Sequence, residues 1–269
     1  MDKISFNYKL DKIKELLTNN KYYDAIDASK ELLELDNNST NFRSFNNGIE
    51  YYLYLVTYDS NIKKEELNFK QLYDTYATCL MLTGKYDKAS DYFKKSLEID
   101  PFDSLTRFKY VDCFRLMNDL DNYFKESNEA INYCYKAVDF QRFYRNLSEY
   151  YFRYENYVES LYMILFARYV SDKNDEITTP ELFRIYDCLG KKMDPSIDAI
   201  MNFMNNKNIN TPSLMIDKLN YIYNKIYEND AITSYDILSI LYELTNDESY
   251  KKLLDEFDKR LSNHKKNEK

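Results

Sequence analysis

Residues 70–103 of the chain read KQLYDTYATCLMLTGKYDKASDYFKKSLEIDPFD. Apolar residues recur in this stretch at helical spacing, in two runs: Tyr73, Tyr76, Ala77 and Leu80, then Ala89, Phe93, Leu97 and Ile99. A short turn around Gly84 separates the two runs, and Asp100-Pro101 ends the second one. The spacing therefore predicts two helices joined by a tight turn, with small Ala77 and Ala89 allowing the helices to approach closely.

This stretch resembles the tetratricopeptide repeat, whose pattern W-x2-L-G-x2-Y…A-x3-F…P is matched by Tyr73, Tyr76, Ala77, Leu80, Ala89, Phe93 and Pro101. The resemblance implies an all-α chain in which antiparallel helix pairs stack into a right-handed superhelix. It also implies that the first helix of each pair lines a concave surface that binds a protein or peptide.

Weaker copies of the pattern flank this unit in register, over residues 6–39, 104–140 and 141–174. In the first copy Lys9 and Lys12 stand where the pattern has an aromatic and an aliphatic residue. Residues 40–69 are irregular: we expect a helix over 42–58 and a polar turn over 59–61, as either a degenerate unit or an insertion. Residues 1–174 are thus predicted to be tetratricopeptide-like repeats.

Residues 175–269 lose the repeat signature but keep the helical period. We expect helices to start near Thr178, Asp194-Pro195, Thr211-Pro212, Ser234 and Asp247. The last of them carries an apolar stripe of Tyr250, Leu253, Leu254, Phe257 and Leu261. This region is predicted to be a helical C-terminal extension that continues or caps the array.

The turns inside the repeats predict a left-handed backbone conformation. Gly84 occupies this turn in the clearest repeat, and Asn20, Asn118 and Glu155 occupy the like turns of the other units. Glycine adopts this conformation freely, and asparagine tolerates it better than most other residues.

Composition excludes several classes of function. The chain has only 3 glycines in 269 residues and a formal net charge of −8. Few glycines argue against sheet folds and phosphate-binding loops, and the acidic total disfavours nucleic acid and anionic membranes as partners. The N-terminal segment has charges throughout and no apolar core, so we expect no signal peptide, no membrane span and a cytoplasmic location.

No catalytic or metal-binding motif is recognisable. The single histidine, His264, lies near the C-terminal end, and Cys79, Cys113, Cys134 and Cys188 form no C-x-x-C pair. We expect free thiols, no cofactor, no metal and no enzymatic activity.

One cluster of charged residues is a candidate binding site. Arg142, Arg145, Asn146, Glu149 and Arg153 fall on one face of a predicted helix, opposite an apolar face. The preceding unit places Lys109, Asp112 and Arg115 at corresponding positions. Because guanidinium groups suit carboxylates, this face is predicted to bind an acidic peptide or protein segment. Alternatively, Glu149 pairs with Arg145 and Arg153 four residues away, and the face is merely solvated.

Two other classes of function stay open. The chain could be an enzyme, or an enzyme subunit, with a cavity lined by tyrosines and carboxylates. It could also be a helical-repeat protein that binds RNA, which the arginines and tyrosines favour and the net charge disfavours.

Overall fold

The computed structural model describes residues 2–36, 42–58, 62–64, 67–171 and 176–267, with side chains up to residue 259 apart from that of Lys64. Over these residues the chain is almost entirely helical, which confirms the all-α class. The helices are α1 (Lys3–Thr18), α2 (Tyr22–Leu33), α3 (Gly48–Tyr58), α4 (Phe69–Leu82), α5 (Tyr86–Ile99), α6 (Ser104–Leu116), α7 (Leu120–Ala130), α8 (Ala137–Arg153), α9 (Tyr157–Val170), α10 (Thr178–Leu189), α11 (Ile197–Asn206), α12 (Ser213–Ile226), α13 (Ala231–Thr245) and α14 (Glu248–Asn267). Strands β1 (Phe42–Arg43) and β2 (Lys63–Lys64) and a 3₁₀ turn (Ile131–Tyr133) complete the list.

The chain divides into two compact units, Met1–Tyr133 and Cys134–Lys269, here called unit 1 and unit 2. The boundary lies between α7 and α8, inside the run of residues 1–174 that the sequence presents as continuous repeats. No periodic pattern changes at that point of the sequence.

Unit 1 contains the helix pairs α1/α2, α4/α5 and α6/α7, and its core draws on all three pairs. Ala77 and Ala89 are both fully buried, as expected for residues that allow close helix approach. Phe93 is also fully buried in the same cluster. The buried residues of α1 are Phe6, Leu10 and Ile13. The apolar stripe of this helix therefore lies one position after Lys9 and Lys12. This offset explains why the first unit matches the repeat pattern poorly.

In its described part, the irregular segment between α2 and α4 contains one helix, α3, and the two short strands β1 and β2. Strand β1 pairs in parallel with β2, with Phe42 opposite Lys63. The predicted helix start at 42 is wrong, because Asn47 accepts the N–H of Glu50 at 3.0 Å and helix α3 begins at Gly48. The described part of α3 reaches Tyr58. The predicted turn at 59–61 lies outside the described residues.

Unit 2 opens with the helix pair α8/α9, which crosses at two small residues. Ser148 Oγ donates to the carbonyl of Ser160, and Ser160 Oγ donates to the carbonyl of Ser148, each at 2.9 Å. These serines take the positions that Ala77 and Ala89 hold in unit 1. Both are buried, so their hydroxyl groups need the partners that this exchange provides.

The C-terminal helices start within a few residues of the predicted positions. Helix α13 packs against both α12 and α14. The last helix contacts its neighbours through Tyr250, whose hydroxyl donates to Asn220 Oδ1 at 2.9 Å, and through Phe257, whose ring meets that of Tyr235. Leu261, the last residue of the predicted stripe, has no described side chain.

The predicted left-handed turns are confirmed. Gly84 has φ 77°, and Asn20, Asn118 and Glu155 have φ 59°, 57° and 59°. Glu155 is the residue in this set least suited to the left-handed conformation. The short side chain of asparagine can hydrogen-bond to the nearby backbone in this conformation, and that of glutamate is too long to do so in the same way.

Replacing Glu155 by glycine should therefore stabilise unit 2. Relief of the left-handed conformation is worth about 1–2 kcal/mol and the extra backbone entropy of glycine costs about 0.5–1 kcal/mol, leaving a gain of about 0.5–1 kcal/mol. The free energy of unfolding in urea measures it. Gly84→Ala is the opposite change at the like turn and should lose about 1 kcal/mol. A Glu155→Gly protein less stable than the wild type would contradict this account.

Candidate functional site

The first helices of the pairs in unit 1 carry a connected row of polar side chains. Lys14 Nζ on α1 donates to Gln71 Oε1 on α4 at 2.5 Å. Between α4 and α6, Lys109 Nζ of α6 lies 3.1 Å from both carboxylate oxygens of Asp74 and 3.2 Å from Thr78 Oγ1, both on α4. The row therefore links α1 to α4 and α4 to α6 through side chains that face solvent in part.

Two of the predicted site residues in unit 1 neutralise each other locally. Arg115 Nε donates to Asp112 Oδ1 at 3.0 Å, three residues earlier on the same helix. Lys109, the third, is held by Asp74 on the neighbouring helix. The charged groups of this surface are thus of both signs and are paired with each other.

In unit 2 the predicted residues on α8 meet side chains of α10. Arg145 binds Glu181 through two parallel hydrogen bonds, Nε to Oε2 at 2.9 Å and Nη2 to Oε1 at 2.6 Å. This is the fork geometry in which a guanidinium group holds a carboxylate most specifically. The expected pairing of Arg145 with Glu149 is replaced by this contact.

Glu149 holds two arginines at once. It accepts from Arg153 Nε at 2.8 Å on one oxygen and from Arg184 Nη2 at 2.6 Å on the other. Burial alone would raise the pKa of the Glu149 carboxyl, but the hydrogen bonds and charges of Arg153 and Arg184 lower it below its usual value. The Arg184 guanidinium also lies 3.9 Å from the centre of the Phe152 ring. Both guanidinium groups are therefore fixed in position.

We call this set the arginine surface: Arg142, Arg145, Glu149, Arg153, Glu181 and Arg184. Its four arginines and two glutamates give a formal charge of +2 in a chain of net charge −8. The Arg184 side chain is 46% exposed and that of Arg153 is 27% exposed. The arginine surface is therefore a local cationic patch within reach of a ligand.

Asn146 differs from its predicted neighbours because it is buried, with 4% of its surface exposed. No described group accepts a hydrogen bond from its Nδ2 atom. Arg142, one turn earlier on α8, is half-buried. The structure thus brings Arg145, Glu149 and Arg153 together on one polar face and places Asn146 beneath the surface.

Sequence reasoning missed Glu181 and Arg184. Both lie on α10, beyond the last recognisable repeat, so no pattern indicated that they would meet α8. Their spacing of three residues places them on one helix face and was the available signal.

The four cysteine thiols differ in their exposure to solvent. The four cysteines are free, with Cys79, Cys113 and Cys134 buried and Cys188 exposed. Burial raises the pKa of Cys79 to about 11 and that of Cys113 to about 12, so both are protonated at neutral pH. Within the described residues, no three His, Cys, Asp or Glu side chains are grouped so as to hold a metal ion.

Residues 71–103 match the family model of the tetratricopeptide repeat. These residues are a tetratricopeptide repeat. The match confirms the repeat predicted over 70–103, which the structure shows as α4 and α5. Tetratricopeptide repeats form helical scaffolds that typically mediate protein–protein interactions.

Several solved structures are similar to this chain over most of its length. A tetratricopeptide repeat protein from Parabacteroides merdae is 13% identical, with a TM-score of 0.39, and the match covers 94% of this chain and 98% of that one. A chain of the Naa15/Naa10 complex bound to HypK-THB is 13% identical, with a TM-score of 0.39, and covers 96% of this chain. A chain of the APC/C hetero-tetramer Cut9-Hcn1 is 13% identical, with a TM-score of 0.34, and covers 93%. This chain spans 35% and 48% of the latter two chains.

Comparison with curated proteins gives no match. Among the described helices, none combines the length and the apolar character needed to cross a membrane.

Proposed function

We propose that this protein is a non-catalytic scaffold that binds a protein or peptide segment along the first helices of its helix pairs. For unit 2 we propose an acidic segment as the ligand and the arginine surface as its site. In unit 1, Lys109, Asp112 and Arg115 are the proposed ligand contacts, for a segment of mixed polarity. A cytoplasmic location fits the four free thiols, which persist in reducing compartments.

The observation that carries the proposal is the way Glu149 holds Arg153 and Arg184. One carboxylate orients two guanidinium groups side by side, and the Phe152 ring supports one of them. A ligand carboxylate arriving at this place meets donors whose orientation is already fixed, which lowers the entropic cost of binding. Exposure of 27% and 46% leaves both side chains accessible.

The test uses two pools of fluorescein-labelled nine-residue peptides with random flanks. In one pool two central positions are Asp or Glu, and in the other they are Asn or Gln. We expect fluorescence anisotropy to show preferential binding of the acidic pool by the wild type. The double variant Arg153→Gln with Arg184→Gln should lose about tenfold or more of that affinity, because a hydrogen bond to a charged group contributes about 1.5–3 kcal/mol.

The matched control is Lys191→Gln with Lys192→Gln, which removes the same charge from two exposed residues of unit 2. It should bind the acidic pool like the wild type, and both double variants should keep their thermal unfolding temperature. Equal binding of the two pools by the wild type would contradict an acidic ligand. Tight, salt-dependent binding of a single-stranded RNA probe, lost in the arginine variant, would favour the RNA-binding alternative.

A further inference from the structure

A buried cluster of charged groups lies where helix α3 meets the helix pair α4/α5. Lys70 Nζ is 2.7 Å from Asp103 Oδ2, 2.8 Å from Asn46 Oδ1 and 3.4 Å from Asp100 Oδ2. Asn46, which holds Lys70 through its side chain, also donates its N–H to Glu50 Oε2 at 2.7 Å. Asp100 is fully buried, Glu50 is 3% exposed and Lys70 is 4% exposed. The cluster thus connects the start of α3 to the start of α4, the end of α5 and the start of α6.

The cluster has more acids than bases. If Glu50, Asp100 and Asp103 were all ionised, Lys70 would leave a net charge of −2 in a region closed to water. An uncompensated charge in such a place is costly, and a carboxyl group that takes up a proton avoids the cost.

The hydrogen bonds of Glu50 and Asp100, and the positions of the two residues on their helices, indicate that the proton resides on Asp100. Glu50 already accepts the N–H of Asn46 at 2.7 Å and stands in the first turn of α3, where a negative charge is favoured. Asp100 stands at the C-terminal end of α5, where a negative charge is disfavoured. Its Oδ1 accepts from the N–H of Phe102 at 3.2 Å, whereas no described donor group is hydrogen-bonded to Oδ2.

We propose that a proton held by Asp100, in the buried cluster that it forms with Lys70, Asp103 and Glu50, fastens helix α3 to the helix pair α4/α5, and that loss of this proton loosens α3. We call this arrangement the proton latch. Helix α3 buries Ile49, Leu53 and Tyr54, but none of its described residues belongs to the core cluster of α1, α2, α4, α5 and α6. A further buried negative charge in the cluster that contains Glu50 is therefore expected to weaken the attachment of α3.

The charged groups around Asp100 determine the direction of the pH effect. They are Glu50 from α3, Lys70 from α4 and Asp103 from the start of α6; Arg107 of α6 donates to the carbonyl of the adjacent Pro101 at 3.1 Å. Burial, followed by the charge of Glu50, raises the pKa of Asp100 to about 8, and Lys70 opposes this only in part. Between about pH 4 and pH 8 the folded Asp100 therefore holds a proton that the unfolded one has lost, so stability falls as the pH rises through this range.

Hydrogen exchange of the full-length protein tests the latch directly. We expect the protection of amides in residues 48–58, corrected for the intrinsic exchange rate, to fall by up to about tenfold per pH unit between pH 6 and pH 8. In Asp100→Asn the side chain is uncharged at every pH, so protection should stay within about threefold across the same range. Glu50→Gln removes a negative charge from the same buried cluster and should also weaken the pH dependence, which keeps the test decisive if one variant fails to fold.

Asp121→Asn is the control, because Asp121 is an exposed residue of the same unit and the substitution removes the same charge. It should keep the pH dependence of the wild type, and amides of α8 in unit 2 should show no difference among these proteins. The latch is refuted if protection of residues 48–58 in the wild type does not change with pH. It is equally refuted if both Asp100→Asn and Glu50→Gln keep the full pH dependence.

Discussion

Replacing Phe93 by alanine is expected to lower the free energy of unfolding of unit 1 by about 3–5 kcal/mol. Phe93 is fully buried and belongs to the cluster in which α1, α2, α4, α5 and α6 meet. Removing the ring discards its burial and leaves a cavity that neighbouring helices fill only in part. In repeat proteins the free energy of unfolding is approximately a sum of terms for each repeat and for each interface between neighbours. Removing the Phe93 ring from α5 therefore weakens the packing of α5 against the helices on both of its sides.

Urea unfolding followed by circular dichroism, together with hydrogen exchange of α4 and α5, measures this loss. Phe183→Ala in unit 2 is the matched control, because the same ring is 53% exposed there; it should change stability by less than about 0.5 kcal/mol. A loss below about 1 kcal/mol for Phe93→Ala would show that the core of unit 1 collapses around the vacancy or is packed differently.

Replacing Lys70 by methionine is expected to be as damaging, by about 3–5 kcal/mol, for a different reason. Methionine keeps much of the volume of the side chain but removes the ammonium group that lies 2.7 Å from Asp103 Oδ2 and 3.4 Å from Asp100 Oδ2. Asp103 is the carboxyl group that the substitution affects most. Burial alone would raise the pKa of Asp103, and the charge and hydrogen bond of Lys70 are the main causes that hold this pKa below its usual value. The variant should therefore lose less stability at acidic pH, where these carboxyl groups can take up protons.

The comparison is with Lys30→Met, which removes an equally short ion pair on the surface. Lys30 lies 2.7 Å from Asp27, but both side chains are more than 60% exposed, at 62% and 72%. Surface pairs of this spacing contribute about 0.2–0.5 kcal/mol. Urea unfolding at pH 5 and pH 7.5 separates the two cases. A Lys70→Met protein as stable as the wild type at pH 7.5 would mean that the buried acids need no cation.

The repeat at 70–103 could be predicted from sequence because its core positions follow the helical period and its turn needs a specific backbone conformation. Local rules of this kind also predicted the turns at Asn20, Asn118 and Glu155, and the helix starts beyond residue 175. Nothing local distinguishes the connection between α7 and α8 from any other, so the boundary at residues 133 and 134 could not be predicted.

The candidate site was predicted in part for the same reason. The helical period places Arg145, Glu149 and Arg153 on one face, and the pairing of Glu149 with Arg153 follows from their spacing. Their partners Glu181 and Arg184 arrive by tertiary packing of α10. A periodic pattern does not predict the cluster around Lys70 either, since its members come from four separate elements and a lysine in a first helical turn is normally solvated.

Helices α2 and α4 pack against each other although the irregular segment with helix α3 separates them in sequence, and this affects how the chain tolerates a change in length. None of the described residues of α3 belongs to the core cluster that α2 and α4 share. The entropic cost of closing such a loop grows only with the logarithm of its length, at about 0.6 kcal/mol for each doubling. A segment can therefore lengthen or shorten considerably at this point while the stacked pairs on either side keep their registry, and repeat arrays can acquire new elements between units at little thermodynamic expense.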